Sequence, residues 1–192
     1  MKRFEGFEAK KAGGAREILP VGGYVCEIKS AKVEEYRGGE YSSLVLAIDV
    51  TEGKYAGFFR RDYDNNDRED RKWRGVYRIS LPKDDGSEQD GWTKRIFGNF
   101  IWAVQESNPG YVWDWEEKKL KGKQLGVLFR NKEWEYNGRT GWTTEAAGAV
   151  SVDALRAGEF KLPKDKPLKN HPVTSSGFYA EPEEAEDGDL PF

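Results

Sequence analysis

The sequence predicts a mainly β domain, a small five-stranded Greek-key barrel with one principal helix, and three observations carry that prediction. Apolar and polar residues alternate along 24–36, the period of a strand with one buried face, and 41–50, 123–136 and 139–152 supply three further stretches of strand character, the four falling into two pairs. Each pair is joined by turn chemistry: Arg37-Gly38-Gly39-Glu40 in the first, and in the second Asn137-Gly138, a dipeptide that accepts the positive backbone angles of a tight hairpin. Between the pairs the period becomes helical. Strand, strand, helix, strand, strand suits such a barrel. Other small all-β and α+β folds share the order, and periodicity alone does not choose among them.

Residues 1–17, rich in Lys, Gly and Ala, read as a flexible lead-in, with order beginning at Ile18-Leu19-Pro20. In the first strand Tyr24, Cys26 and Ile28 share one side, and Leu44, Val45, Leu46, Ile48 and Val50 supply the second. Residues 53–78 are densely charged, with Phe58, Phe59, Tyr63, Trp73 and Tyr77 interleaved, and read as a long surface loop or insertion. From Asp90 on, Ile96, Phe97, Phe100, Ile101 and Val104 fall on one helical face, and Asn108-Pro109-Gly110 ends the helix. Trp102, Trp113 and Trp115, beside that helix and the following loop, are assigned to packing. Leu125, Val127 and Phe129 mark the next buried strand face, and a short helix from Asp153 ends at Gly158. Beyond Leu162 no apolar period survives. The folded domain is therefore expected over 18–162, and 163–192 as a disordered acidic tail.

The chain of 192 residues is long enough for one substantial core. Cys26 is the only cysteine, which excludes an internal disulfide framework and a multi-cysteine zinc site and suits a reducing cytoplasm. His171, the only histidine, lies between Asn170 and Pro172 in a linker-like stretch, a poor base for a triad. No apolar run approaches the roughly 20 residues of a membrane span, and no apolar segment follows Met1-Lys2-Arg3-Phe4-Glu5, so a cytoplasmic chain is expected. Neither a Gly-x-x-x-x-Gly-Lys loop nor a Gly-x-Ser-x-Gly elbow occurs. Asp62, Asp64, Asn66, Asp67 and Asp70 begin like a calcium loop. Asp67 then stands where the sharp turn needs Gly, and Trp73 where the bidentate Glu belongs. That run reads as a solvated loop whose acids balance its arginines. No metal, cofactor or catalytic residue is expected.

The net charge of −3 conceals two opposite regions. Glu181, Glu183, Glu184, Glu186, Asp187 and Asp189 put six negative charges and no Lys or Arg into the last twelve residues, which leaves a net +3 on the rest. Two segments of the body combine rings with cations. Arg71-Lys72-Trp73-Arg74 with Tyr77 and Arg78 contains no acid, and Arg130, Lys132, Trp134, Tyr136, Arg139 and Trp142 occupy the second hairpin. Unstacked bases want aromatic faces and phosphates want Lys and Arg beside them, so both segments are candidates for gripping a single strand. Trp134, Tyr136 and Trp142 serve equally well as cross-strand partners that hold the hairpin.

The chain ends Glu181-Pro-Glu-Glu-Ala-Glu-Asp-Gly-Asp-Leu-Pro-Phe192. A solubilising tail explains the acids but not Leu190-Pro191-Phe192, an apolar end that needs a pocket. This end resembles the acidic tip of bacterial single-stranded DNA-binding proteins, departing from it at Gly188, and the resemblance implies that Asp187, Asp189, Leu190, Pro191 and Phe192 hold partner proteins. Through the body, Ile18-Leu-Pro-Val-Gly-Gly-Tyr24, Glu52-Gly-Lys-Tyr-Ala-Gly57, Gly122-Lys-Gln-Leu-Gly-Val-Leu-Phe-Arg130 and Ser151-Val-Asp-Ala-Leu-Arg-Ala-Gly158 are similar to strings in bacteriophage single-stranded DNA-binding proteins. That similarity implies an oligonucleotide-binding (OB) barrel that coats single-stranded DNA with little sequence preference during phage replication or recombination and recruits enzymes by its tip; a homo-oligomer is compatible with the sequence, which does not decide the oligomeric state. The rival readings are a metal-dependent nuclease using the acids of 62–70, and a protein-interaction barrel that binds no DNA.

Overall fold

A computed structural model describes residues 17–168. The chain is mainly β, with strands β1 (Gly22–Tyr36), β2 (Tyr41–Val50), β3 (Val76–Ser80), β4 (Gln124–Tyr136) and β5 (Arg139–Val150). The helices are α1 (Phe58–Asp64), α2 (Glu88–Ser107) and α3 (Val152–Ala157). The strands form an open antiparallel sheet in the order β3-β2-β1-β4-β5, curled so that β3 comes near β5. The tip residues Asp187, Asp189, Leu190, Pro191 and Phe192, like the lead-in up to residue 16, lie outside the described residues.

Both expected hairpins form. β1 and β2 pair from Cys26 opposite Val50 to Tyr36 opposite Tyr41, with a bulge between Ile28 and Ser30. β4 turns into β5 on Asn137 and Gly138, whose φ values of 49° and 70° are the left-handed angles that Asn-Gly accepts. Cys26, Ile28, Leu46, Ile48, Leu125 and Val127 line the concave side, and Phe97, Phe100 and Val104 of α2 close it. Helix α2 starts where Ser87 Oγ accepts from the Asp90 amide at 3.1 Å. It stops at Asn108, whose side chain donates to the carbonyls of Val104 and Gln124 and accepts from the Gln124 amide, fastening the helix end to β4.

The stretch 53–78 departs from its expected character as a surface loop. Phe58 and Phe59 open α1 inside the core, and the third strand of the sheet lies at Val76–Ser80. Tyr77 is therefore a core residue and not a surface ring. It is 4 % exposed, meets Phe100 edge-on at 6.2 Å, and burial pushes its phenol well above the ordinary value. Two inward positions, Tyr77 and Ile79, are too few to stand out from the charged run before them. Trp113 packs beside Phe97 as expected, Trp115 stacks on Phe97 with one face while most of its ring stays exposed, and Trp102 is exposed.

The chain beyond Leu162 stays with the domain for a few residues. The Lys166 amide donates to Asn131 O at 2.8 Å, and the Glu133 amide donates to Lys166 O at 2.9 Å. β1 pairs with β4 only as far as Phe129, so this segment covers backbone that would otherwise form an open edge.

Candidate nucleic-acid interface

Pairing register sets what the convex face of β1, β2 and β3 presents. Lys32, Val45 and Arg78 form one cross-strand row, and Ser30, Ala47 and Val76 the next. At one end of this face α1 and the segment after it fold over the sheet and leave a cleft of about 720 Å³, lined by Lys29, Asp49, Arg60, Tyr63, Arg71 and Trp73 with Ser30 and Ala47 as floor.

Each wall of the cleft has a local cause. The Trp73 indole N–H donates to Ile48 O and to Gly75 O, both at 3.1 Å, which fixes the ring plane. The ring meets Tyr63 at 5.9 Å between centroids, and the Arg71 guanidinium lies 4.8 Å over the Tyr63 ring. Gly75 permits this approach, because a Cβ there would lie 2.2 Å from Ile48 O and 2.5 Å from Phe59 Cδ2. Asp49 is buried, and its Oδ1 accepts from the amides of Val50 and Phe59 at 3.0 Å, anchoring the first turn of α1 to β2. Arg60 pairs with Asp64 at 3.2 Å and Lys29 with Glu27 at 2.9 Å. Exposed pairs of this kind contribute at most about 1 kcal/mol, so a phosphate competes with them readily.

The other end of the same face repeats the mixture. Tyr36 and Tyr41 are exposed and directly opposed, with Lys83 Nζ 3.8 Å and the Arg37 guanidinium 5.5 Å from the Tyr41 ring. Lys32 and Arg78 lie between the two ends. Glu34 lies among them: it accepts from Lys32 Nζ at 2.5 Å and from the Tyr36 hydroxyl at 2.6 Å, and these hydrogen bonds hold its carboxyl below the usual range.

Of the sequence-predicted residues, Arg71 and Trp73 line the cleft, Lys72 and Arg74 are exposed beside it, and Tyr77 lies beneath the sheet. On the second hairpin the register puts Arg130, Lys132, Trp134, Tyr136 and Arg139 on one face. Trp142, opposite Glu133, is on the other, so the three rings do not form one platform. Trp134 covers Gly141, where a Cβ would come within 2.8 Å of its ring, and Tyr136 is 71 % exposed. Glu145 occupies the same face. It receives Arg130 Nη2 and Lys132 Nζ, each at 3.0 Å, with Lys166 Nζ at 4.0 Å. Burial raises its carboxyl, but the hydrogen bonds from Lys132 and Arg130 outweigh that and hold it below the ordinary value. The basic hairpin is in good part self-neutralised.

Sequence reasoning missed Lys29, Arg60, Tyr63, Tyr36 and Tyr41. The three-residue spacing of Arg60 and Tyr63 was a usable helical signal. The tyrosines become neighbours only through the hairpin register. Among the described residues no three His, Cys, Asp or Glu side chains converge as a metal site requires, those of 62–70 included. No helix among these residues is long and apolar enough to cross a membrane. No protein-family model matches the chain, and no curated protein matches it in sequence.

Proposed function

We propose that this chain is an OB-barrel protein that coats and protects single-stranded DNA, with little sequence preference, during phage replication or recombination. The strand order with α2 inserted between β3 and β4 agrees with that barrel. The carrying observation is the cleft in which Tyr63 and Trp73 meet Lys29, Arg60 and Arg71 on the face of β1 and β2. Rings there take bases, and the three cations take the phosphates on either side. Base–aromatic stacking supplies about 1–3 kcal/mol per base, so two rings outweigh any one phosphate contact. The strand then runs over Lys32 and Arg78 towards Tyr36 and Tyr41, and the outer face of the β4–β5 hairpin adds Trp134 and Tyr136. Residues 187–192 recruit partner enzymes by seating Leu190-Pro191-Phe192 in an apolar pocket.

Titration with oligothymidines, read by tryptophan fluorescence, tests this. The intact chain is expected to show quenching that grows with oligonucleotide length up to the site size, and Trp73→Phe to lose much of it. Arg60→Ala and Arg71→Ala are each expected to weaken binding and to flatten the log–log salt slope by about 0.7. Absence of any shift with oligothymidine favours the protein-interaction reading. Cleavage of labelled strands with magnesium or manganese, lost in Asp64→Asn and Asp67→Asn, favours the nuclease.

A further inference from the structure

Asp49 stands in the wall of the cleft and takes no part in the proposed grip on phosphate, which a carboxylate opposes. It lies opposite Glu27 across the β1–β2 pair, between the core residues Ile48 and Val50, and only 5 % of it is exposed. Three cations line the same cleft, yet among the described residues none pairs with it. Lys29 is held by Glu27, Arg60 by Asp64, and Arg71 lies over the Tyr63 ring. A buried carboxylate without a counter-charge is costly, so its oxygens need other donors.

Oδ1 has its donors in the amides of Val50 and Phe59, both at 3.0 Å. Anchoring α1 requires nothing more, and the one carbonyl oxygen of an Asn would supply it. Oδ2 is surplus to that anchor. It has no donor among the described residues, and it is not among their side-chain atoms sealed from solvent without a partner, which are Trp92 Nε1, the Tyr111 hydroxyl and Trp113 Nε1. Solvent therefore reaches Oδ2, and the opening that Asp49 lines is the cleft. Whatever enters there meets a fixed acceptor. Its negative charge leaves phosphates to the exposed Lys29, Arg60 and Arg71, so a strand lying in the cleft turns a base inward. Cytosine, adenine and guanine each carry an exocyclic amine that donates, whereas thymine presents carbonyl oxygens in its place. The Trp73 ring, fixed by its bonds to Ile48 O and Gly75 O, gives that base a face to lie on.

We infer that Asp49 reads one base of the bound strand through Oδ2, favouring a base with an exocyclic amine over thymine. This rests on the single-strand reading of the cleft and adds a selectivity that rings and cations alone do not supply. A thymine sets a carbonyl oxygen against the carboxylate, and a buried polar group left unpaired is what makes such a site selective. One base per bound chain is a mild bias, compatible with a coat that otherwise reads little sequence.

Two oligonucleotides that differ only at that edge of the base test it. One is oligothymidine. The other carries 5-methyldeoxycytidine at every third position, which keeps the ring and its methyl group and puts an amine where thymine has O4. The full chain is expected to bind the second strand several-fold more tightly, read by tryptophan quenching. Asp49→Asn keeps the acceptor for the Val50 and Phe59 amides, which turns its own amide nitrogen towards the cleft. That variant is expected to erase the preference or to turn it towards thymine. The first comparison needs no variant, so it stands even where the substitution loosens α1. Equal binding of the two strands by the full chain, or a preference that survives Asp49→Asn, would overturn the inference and leave single-strand binding in place. Binding of neither strand would overturn both.

Discussion

Glu145 decides how much positive charge the second hairpin offers, because a single carboxylate receives both Arg130 and Lys132. Replacing it with Gln keeps the shape and releases two cations. Glu145→Gln is expected to raise affinity for oligothymidine several-fold at low salt and to steepen the salt slope by about 0.7 for each phosphate gained. Unchanged affinity and slope would remove this hairpin face from the DNA path. The same residue makes a pH prediction. Its folded carboxyl sits below the ordinary value of 4.5, so its contribution to stability is complete above that value and is lost as pH falls through the lower folded one. Urea midpoints measured from pH 6 to pH 3 are expected to fall less steeply in Glu145→Gln than in the parent chain. Trp73 shows how the fold can fix a candidate ring in place. It lies in the cleft beside Arg71, where two carbonyls fix its indole and Tyr63 flanks it. A ring fixed in place loses little entropy when it stacks on a base.

At the scale of elements, Gly75 joins the core to the cleft. The turn into β3 brings its Cα against Ile48 O and the Phe59 ring with no room for a methyl group. Gly75→Ala is expected to cost about 1–3 kcal/mol, the usual penalty for overpacking, as a lower urea midpoint at unchanged slope. It should also weaken DNA binding by displacing Trp73, whereas an unaltered midpoint would mean that β3 and α1 yield freely. The long hairpins and α2 were legible in the sequence because each carries enough residues for its period to show and because Asn137-Gly138 and Asn108-Pro109-Gly110 mark their ends. β3 was not, since five residues with two inward positions carry almost no periodic signal. The cleft was half legible. Arg71 and Trp73 stood out as cation and ring side by side, whereas Lys29, Arg60 and Tyr63 join them through a β-bulge and a seven-residue helix that no composition rule reveals. Trp142 was placed with Trp134 by proximity along the chain, and the register separates them.

Across the whole molecule the proposed grip on a polyanion has to be reconciled with a net charge of −3. Its charge is partitioned, with six carboxylates gathered in residues 181–192 and a net +3 elsewhere. From Leu168 an extended chain reaches at most about 63–68 Å to Asp187, several times the domain's radius of gyration of about 15 Å. A tether of that length spans the distance to the cation-bearing cleft. We propose that the acids compete there with phosphate, an electrostatic competition. The Debye length falls from about 30 Å at 0.01 M salt to about 8 Å at 0.15 M, so the acids' hold weakens as salt rises. Removing residues 181–192 is accordingly expected to raise oligothymidine affinity several-fold at the lowest salt, with the advantage shrinking towards physiological ionic strength, and to abolish capture of partner enzymes. A second variant separates the two roles. Changing the six acids to their amides while keeping Leu190-Pro191-Phe192 should reproduce the gain in DNA affinity and retain the apolar contact with partners. A truncated chain that binds no tighter at low salt would show that the tail leaves the cleft alone.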